Sequence, residues 1–210
     1  MSYSNLIEVP DCGCVSNTKV YGFDDSVKKS KYPMAVDINK VNSNITNTTI
    51  SLAKSAKGSG HDNWLNGVVV QFDLTFTVKA WTEAERYHFF DFVSSQSTMH
   101  RITKFDLDNS YIEYVDGRIV DIMKEKVDKY NSMVEDGNIE EKILERIYLE
   151  ILYSNPAGFK LTAGMTTNYR QLKTMYSQRK NHRLPEWREF CRWIESLPCS
   201  EMITGVKMNE

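Results

Sequence analysis

Eleven consecutive residues, Val68 to Val78, alternate between two faces, and they constrain the fold more than any other segment. The face with even numbers is entirely apolar: Val68, Val70, Phe72, Leu74, Phe76 and Val78. Successive side chains of a strand point to opposite sides of a sheet, so this period of two predicts a long strand with one buried face. Such a strand needs neighbouring strands and a layer that covers its apolar face.

Helical patterns dominate the chain after this strand. Thr82 and Glu85 match a capping box, which predicts a helix from Thr82 to about Gln96. The other predicted elements are helices over 118–134 and 139–152, a short strand over 159–165, a helix capped by Thr166 or Thr167 that ends near Asn181, and a last helix with Pro185 in its first turn. A long strand followed by several helices predicts an α+β fold, with a central mixed or antiparallel sheet flanked by helices.

Length, charge and hydropathy exclude several classes of protein. The 210 residues suffice for one domain, 1–210, with a sizeable core. A net charge of −2 excludes a globally basic surface for duplex DNA. No stretch approaches the ~20 apolar residues that a membrane helix needs, and the first residues lack the pattern of a secretory signal. We therefore expect a cytoplasmic protein with no membrane partner and no nucleic-acid partner.

The four cysteines do not predict a metal site. Cys12, Cys14, Cys191 and Cys199 have a spacing that matches no recognised zinc pattern. We expect reduced, partly buried thiols and no bound metal.

One face of the helix predicted after Thr167 is apolar in the middle and polar at both ends. Asn168 and Arg179 are eleven residues apart, which places them on nearly the same face, and Leu172 and Met175 lie between them. This face suits the floor of a cleft for a flat ligand with polar ends. Periodicity alone favours the alternative, a stripe that packs into the core with polar residues reaching out at its ends.

The basic charge of the chain is concentrated near its C-terminus. Residues 170–192 contain seven Lys or Arg and two acidic residues, a local charge of +5. The segment could form a wall that binds a small anionic ligand, a face for single-stranded nucleic acid, or a solvated helix face. We interpret it as the wall of an anion-binding cleft.

Three separated blocks together resemble flavin-dependent thymidylate synthase, the ThyX family. The first is GHDNWLNGVVVQFDL, Gly60 to Leu74, and the second begins 22 residues later with Gln96-Ser-Thr-Met-His-Arg-Ile. The third is Pro156, then Thr167-Asn-Tyr-Arg-Gln-Leu, then Arg179. The blocks are in the family's order, and the resemblance covers about residues 53–195.

The resemblance implies a ThyX-like fold and a homotetramer with FAD bound where subunits meet. The family transfers a one-carbon (methyl) group to C5 of dUMP, with methylenetetrahydrofolate and NADPH as co-substrates. The protein needs no nucleophile of its own for this chemistry, because the flavin carries it. The implied partner is therefore a pyrimidine nucleotide.

The resemblance also assigns roles to residues. Arg179 matches the arginine that faces the uracil ring, so it is the candidate catalytic residue. Further substrate contacts are expected at Gln96, Asn109, Ser110 and Arg183. Cofactor contacts are expected at His61, Asn63, Asn66, His100, Arg101, Ile102, Asn168, Arg170, Thr174 and His182.

The chain departs from the family mainly at nucleotide-binding positions. Met99 replaces an arginine, Leu107 replaces a polar contact, and Leu152 stands where the family places the arginine that binds the dUMP phosphate. Arg146, Lys160 and Arg183 are candidate substitutes for that arginine. Three hypotheses stay open: methylation of dUMP, flavin-dependent modification such as hydroxymethylation of another pyrimidine nucleotide, and sequestration of a nucleotide without catalysis.

Overall fold

The computed structural model describes residues 6–56 and 58–206. Its strands are β1 (Leu6–Val9), β2 (Val15–Tyr21), β3 (Val69–Thr77), β4 (Asp91–Ser95) and β5 (Lys160–Asn168). Its α-helices are α1 (Phe23–Lys29), α2 (Asn47–Lys54), α3 (Val78–Ala84), α4 (Thr98–Arg101), α5 (Gly117–Asp136), α6 (Glu141–Ser154), α7 (Tyr169–Arg179), α8 (Pro185–Ser196) and α9 (Glu201–Thr204). Short 3₁₀ turns cover Tyr32–Met34, Ile38–Lys40, Asn63–Gly67 and Ile102–Lys104.

Within the described residues, these strands form one five-stranded sheet in the order β1-β2-β3-β5-β4. β1 pairs with β2, and β2 pairs with β3, both in antiparallel register. The predicted α+β class is therefore confirmed. None of the described helices is long and apolar enough to cross a lipid bilayer.

The chain divides into two compact units. Unit 1 comprises Met1–Leu74, Ala84–Ser94 and Ala163–Glu210, and unit 2 comprises Thr75–Glu83 and Ser95–Thr162. Each unit has its own buried cluster of apolar side chains.

An aromatic cluster forms the centre of unit 1. Phe72 of β3 lies 4.5 Å from Trp193 of α8 between ring centroids, and 6.1 Å from both Phe90 and Phe190. The even-numbered residues of β3 in this unit are buried, as the alternation predicts. Tilted and edge-on aromatic pairs of this kind add to the free energy gained by burial alone.

The core of unit 2 forms around Phe159. The rings of Phe105 and Tyr111 contact Phe159 edge-on, with centroids 5.1 and 5.2 Å away. The helices α5 and α6 bury Met123, Val127 and Ile151 against this cluster. A Cβ at Gly158 would lie 2.3 Å from the Val115 side chain, so the chain has glycine where it enters β5.

Several predicted elements are confirmed with small changes in their ends. The α5 and α6 helices cover the two regions predicted as helices, and β5 extends the predicted strand to Asn168. α8 begins at Pro185 as predicted. α7 begins one or two residues later than predicted, because its N-cap is Asn168, whose side-chain oxygen accepts a hydrogen bond from the Gln171 amide.

The predicted helix from Thr82 to Gln96 is wrong. The helix in this region is α3, which begins at Val78 and ends at Ala84, and β4 follows at Asp91. The Thr82 hydroxyl donates to the Lys79 carbonyl inside the helix rather than capping a helix start. Phe89 has a positive φ of 58°, which no α-helix accommodates, so the chain turns there and enters a strand.

The sequence patterns did not identify the β1–β2 hairpin. In β2 the buried residues are Val15, Thr18 and Val20, so the alternation shifts by one residue after Val15. The cause is a β-bulge at Asn17, which has φ 53° and falls between the register positions Ser16 and Lys19. An inserted residue of this kind erases the period of two that marks a strand in sequence.

Trp193 and Thr18 join the hairpin to the last long helix through a buried hydrogen bond. The Trp193 indole nitrogen donates to the Thr18 hydroxyl over 3.0 Å, and both residues are almost fully buried. Thr18→Val keeps the shape of the side chain and removes the acceptor, so the indole N–H is left without its partner. We expect a loss of about 1–3 kcal/mol in the free energy of unfolding, measured by urea denaturation.

Thr18→Ser is the matched control, because it keeps the hydroxyl and removes a methyl group. It should lose no more than about 1 kcal/mol. Equal losses in the two variants would contradict a role for the hydrogen bond.

Candidate functional site

A cavity of about 570 Å³ lies in unit 1. Its walls come from the segment after α2, the turn before β3, the turn before β4, the exposed face of α7, and α9. The residues that line it include Lys54, Asp62, Asn66, Phe89, Arg170 and Thr174. The volume falls in the range of cavities that bind small ligands and cofactors.

A buried carboxylate fixes two of these walls to each other. The Asp62 side chain is 3% exposed, and its oxygens accept from the Arg170 Nε over 3.1 Å and the Lys173 Nζ over 2.8 Å. Lys173 also donates to the carbonyls of Ala53 and Ser55, each over 2.7 Å. Asp62 and Lys173 therefore bind the end of α2, the turn before β3 and helix α7 into one rigid frame.

The charge of the cavity is positive. Within the described part of the chain, its lining includes the cations Lys54, Arg170, Lys173 and Lys180, and one carboxylate, that of Asp62. Among the described residues, Arg170 uses only its Nε in a hydrogen bond, and its terminal nitrogens have no such partner. A guanidinium held through Nε keeps two donors for an anionic ligand. The arrangement suits a phosphate-bearing ligand.

Phe89 lines the cavity in an unusual backbone conformation. Its φ of 58° lies in the left-handed region that bulky residues avoid, at a cost of about 1–3 kcal/mol. The Thr167 hydroxyl donates to the Phe89 carbonyl over 2.6 Å, and the next residue, Phe90, is buried in the aromatic cluster. These two contacts hold the backbone of Phe89 in place.

The structure decides between the two interpretations of the face that contains Leu172 and Met175. Both side chains are fully buried and neither lines the cavity, so this stripe packs into the core. The cleft-floor hypothesis for these two residues is wrong. The cavity instead lies along the neighbouring face of α7, which carries Arg170, Lys173 and Thr174.

Arg179 lies among aromatic side chains and does not line the cavity. Its Nε donates to the Tyr87 hydroxyl over 2.7 Å, and its guanidinium carbon lies 4.6 Å from the centroid of the Trp187 ring. Its Nη1 lies 2.8 Å from the Nε2 of His182, whose Nδ1 accepts from the Leu184 amide. Cation–π contact and hydrogen bonds thus orient a permanently charged, planar group.

The basic segment 170–192 does not act as one surface. Arg170, Lys173 and Lys180 line the cavity, whereas Arg192 forms an ion pair with Glu189. The carbonyls of His182 and of the predicted substrate residue Arg183 accept from Arg188.

Unit 2 contains a second set of predicted site residues. Gln96 and Arg101 line an open cavity of about 390 Å³ together with Lys104. The Gln96 side-chain oxygen accepts from the Thr162 amide over 2.9 Å. His100 is exposed. The side chain of Ile102, a predicted cofactor contact, is fully buried in the core of unit 2.

The predicted substrate residues Asn109 and Ser110 are part of a tight turn. The Asn109 amide donates to the Asp106 carboxylate over 2.7 Å, and the Ser110 hydroxyl donates to the Asp106 carbonyl over 2.6 Å. The hydrogen bond from Asn109 lowers the pKa of the Asp106 carboxyl. Both side chains thus stabilise the turn that carries them.

Two of the departures from the family pattern have a structural explanation. Leu107 is buried in the core of unit 2, and Leu152 packs against the same core. Apolar side chains at these positions contribute to packing, whereas Met99 is 60% exposed. Of the candidate substitutes for the missing arginine, Arg146 is exposed and Lys160 is half-buried in unit 2, and Arg183 is exposed in unit 1.

The described residues 6–56 and 58–206 contain no group of His, Cys, Asp and Glu arranged to hold a metal ion. The four cysteines all lie within the described residues, and none of them forms a disulfide there. Burial raises the pKa of both the Cys14 and the Cys191 thiols to about 12. At neutral pH they are protonated, which makes them poor ligands and poor nucleophiles.

Of the three cofactor contacts predicted in the first block, one lines the cavity. His61 and Asn63 are exposed and do not line it, whereas Asn66 does. Asp62, Lys54 and Phe89 were missed by sequence reasoning. Asp62 lies inside the Gly60–Leu74 block, and an acidic residue beside a glycine turn could have marked it as a candidate site residue. No local sequence pattern, however, indicates that it pairs with Arg170 and Lys173 of α7.

No protein-family model and no curated protein matches the sequence. The structure is similar to thymidylate synthase X (ThyX) from Helicobacter pylori with FAD and dUMP. The TM-score is 0.62 at 11% identity, over 88% of this chain and 93% of that chain. A second structure of the Helicobacter pylori enzyme, complexed with FAD and dUMP, gives a TM-score of 0.61 at 12% identity, over 94% of this chain and 97% of that chain.

A third similar structure is a UMP/dUMP methylase, PolB, from Streptomyces cacaoi bound with 5-Br dUMP. Its TM-score is 0.60 at 14% identity, over 90% of this chain and 96% of that chain. The chain therefore has the ThyX fold, as the resemblance of the three sequence blocks implied.

The ion pairs of Asp62 generate a stability prediction. Asp62→Asn keeps the shape of the side chain but leaves the cations of Arg170 and Lys173 without a buried counter-charge. We expect a loss of about 2–4 kcal/mol in the free energy of unfolding, measured by urea denaturation at pH 7. Asp25→Asn, at an exposed residue of α1, is the control and should change stability by less than about 0.5 kcal/mol. Similar effects of the two substitutions would refute the structural role of Asp62.

Proposed function

We propose that this protein is a flavin-dependent enzyme that binds FAD in the cavity of unit 1 and modifies a pyrimidine nucleotide. One observation carries the proposal. A positively charged cavity, in a chain with the ThyX fold, is lined by Asn66, Asn168, Arg170 and Thr174, which the sequence resemblance independently assigned to the cofactor.

The chemistry of the cavity fits FAD. Arg170, Lys54 and Lys180 supply positive charge for the diphosphate, and Arg170 has terminal donors for its oxygens. The Asn66 and Gln171 amides and the Thr174 and Ser177 hydroxyls supply hydrogen-bonding groups for the sugar and the ring edges. Asp62 binds Arg170 and Lys173, so the cationic wall is oriented before a ligand arrives.

We propose methyl transfer to C5 of dUMP as the reaction, with methylenetetrahydrofolate and NADPH as co-substrates. The bound flavin would supply the redox chemistry. Arg179 would stabilise negative charge on the uracil ring, since a guanidinium is planar and always protonated. Tyr87, His182 and Trp187 orient that guanidinium. By analogy with the family, we propose a cytoplasmic homotetramer in which Gln96, His100 and Arg101 contribute to the nucleotide and flavin sites.

A second candidate function follows from Leu107 and Leu152. Both are packing residues where the family contacts the nucleotide. This favours a pyrimidine nucleotide other than dUMP, with methylation or hydroxymethylation as the reaction. Nucleotide sequestration without catalysis is the third candidate.

The first test is FAD affinity. The protein is purified, its absorbance is scanned for a flavin spectrum, and the apoprotein is titrated with FAD by fluorescence. Arg170→Gln should weaken FAD binding about tenfold to a hundredfold, because a charge-assisted contact to phosphate is lost. The matched control is Arg192→Gln, which removes a cation that pairs with Glu189 outside the cavity and should leave affinity unchanged. A colourless protein that does not bind added FAD would falsify the proposal.

The second test addresses the reaction. Wild type and Arg179→Ala are assayed for NADPH oxidation and for product, with dUMP, UMP and dCMP as substrates. They are also tested for growth of a thymidine auxotroph. We expect turnover with one nucleotide and a loss of at least about a hundredfold in kcat for Arg179→Ala. Nucleotide binding with no NADPH oxidation would eliminate catalysis and leave sequestration.

A further inference from the structure

Phe89 and its neighbour Phe90 have opposite environments. Phe90 is 4% exposed and its ring packs against Phe72 and Phe190 in the aromatic cluster. Phe89 is 66% exposed although it lines the cavity. The ring of Phe89 therefore contributes little to the core, and packing does not explain an aromatic residue at this position.

The backbone at Phe89 also disfavours an aromatic side chain. With φ at 58°, glycine or asparagine would adopt this conformation more readily. The conformation is imposed from both sides, by the hydrogen bond from the buried Thr167 hydroxyl and by the anchoring of Phe90. Residues held in such conformations are concentrated at ligand-binding sites. What phenylalanine adds here is a planar π face beside the cavity.

The rest of the cavity supplies groups of a different kind. Arg170, Lys54 and Lys180 are cations suited to phosphate, and His88 lines the wall beside Phe89. A ligand that uses the whole cavity would combine an anionic part with a planar ring. We propose that Phe89 is a stacking platform for an aromatic heterocycle of the bound ligand. This inference rests on the proposed function, in which that ligand is FAD, and it assigns the ring-binding role to Phe89.

The binding test compares two matched substitutions. Phe89→Leu and Phe92→Leu each replace an exposed aromatic ring by an aliphatic side chain, but only Phe89 lines the cavity. Apoprotein of each variant is titrated with FAD, ADP, FMN and pyrophosphate. Phe89→Leu should weaken binding of the stacked ligand about tenfold, since stacking on an aromatic side chain contributes that much. It should leave pyrophosphate affinity unchanged, and Phe92→Leu should leave all four affinities unchanged.

The titrations with ADP and FMN identify which ring of FAD stacks on Phe89. Loss of ADP affinity in Phe89→Leu assigns the platform to adenine, and loss of FMN affinity assigns it to the isoalloxazine. Equal affinities of wild type and Phe89→Leu for FAD, ADP and FMN overturn the inference while the proposed function stands. If wild type binds ADP or FMN but not FAD, the proposed function fails, and the Phe89→Leu comparison still decides the inference. Absence of binding to all three overturns both.

A stability measurement separates stacking from a structural role. Phe89→Gly removes the ring and the conformational strain together, so its Tm should be equal to or higher than that of wild type while its ligand affinity falls. A fall of several degrees in Tm would show that the ring supports the fold and would overturn the inference.

Discussion

The cavity depends on one interaction, the buried carboxylate of Asp62 between Arg170 and Lys173. A carboxylate with a side chain 3% exposed is costly to bury unless its charge is matched and its oxygens accept hydrogen bonds. Both conditions are met here. As a result, three segments that are distant in sequence are fixed together. The guanidinium of Arg170 lines the cavity, and its terminal nitrogens have no hydrogen-bond partner among the described residues.

Sequence patterns predicted those elements in which apolar residues recur with one constant spacing over a long segment. β3, α5 and α6 are of this kind, because each exposes or buries side chains with a constant period. β2 was missed because the bulge at Asn17 shifts its buried face. The region of β4 was predicted as helix because the apolar residues between Tyr87 and Val93 fit a helical spacing. In both cases a single residue with positive φ, Asn17 or Phe89, breaks the local pattern.

The candidate site was predictable to a similar extent. Four residues could be predicted because they lie in or near the sequence blocks that resemble the family, and the structure brings them to one cavity: Asn66, Asn168, Arg170 and Thr174. Phe89 could not be found, because its significance lies in a backbone angle and an exposure that emerge only from tertiary contacts. Likewise, a count of charges located the basic segment but could not separate Arg170, which lines the cavity, from Arg192, which is paired elsewhere.

Lys173 has a consequence for the order of folding. Its ammonium donates hydrogen bonds to the Ala53 and Ser55 carbonyls at the end of α2, across sequence separations of 120 and 118 residues. A ribosome must therefore synthesise the chain as far as Lys173 before these walls of the cavity can meet. Contacts of such high separation form late and slowly, since long loops have to close first. The pocket thus exists only in chains that have completed their fold, so any ligand it binds would select and stabilise finished molecules over partly folded ones.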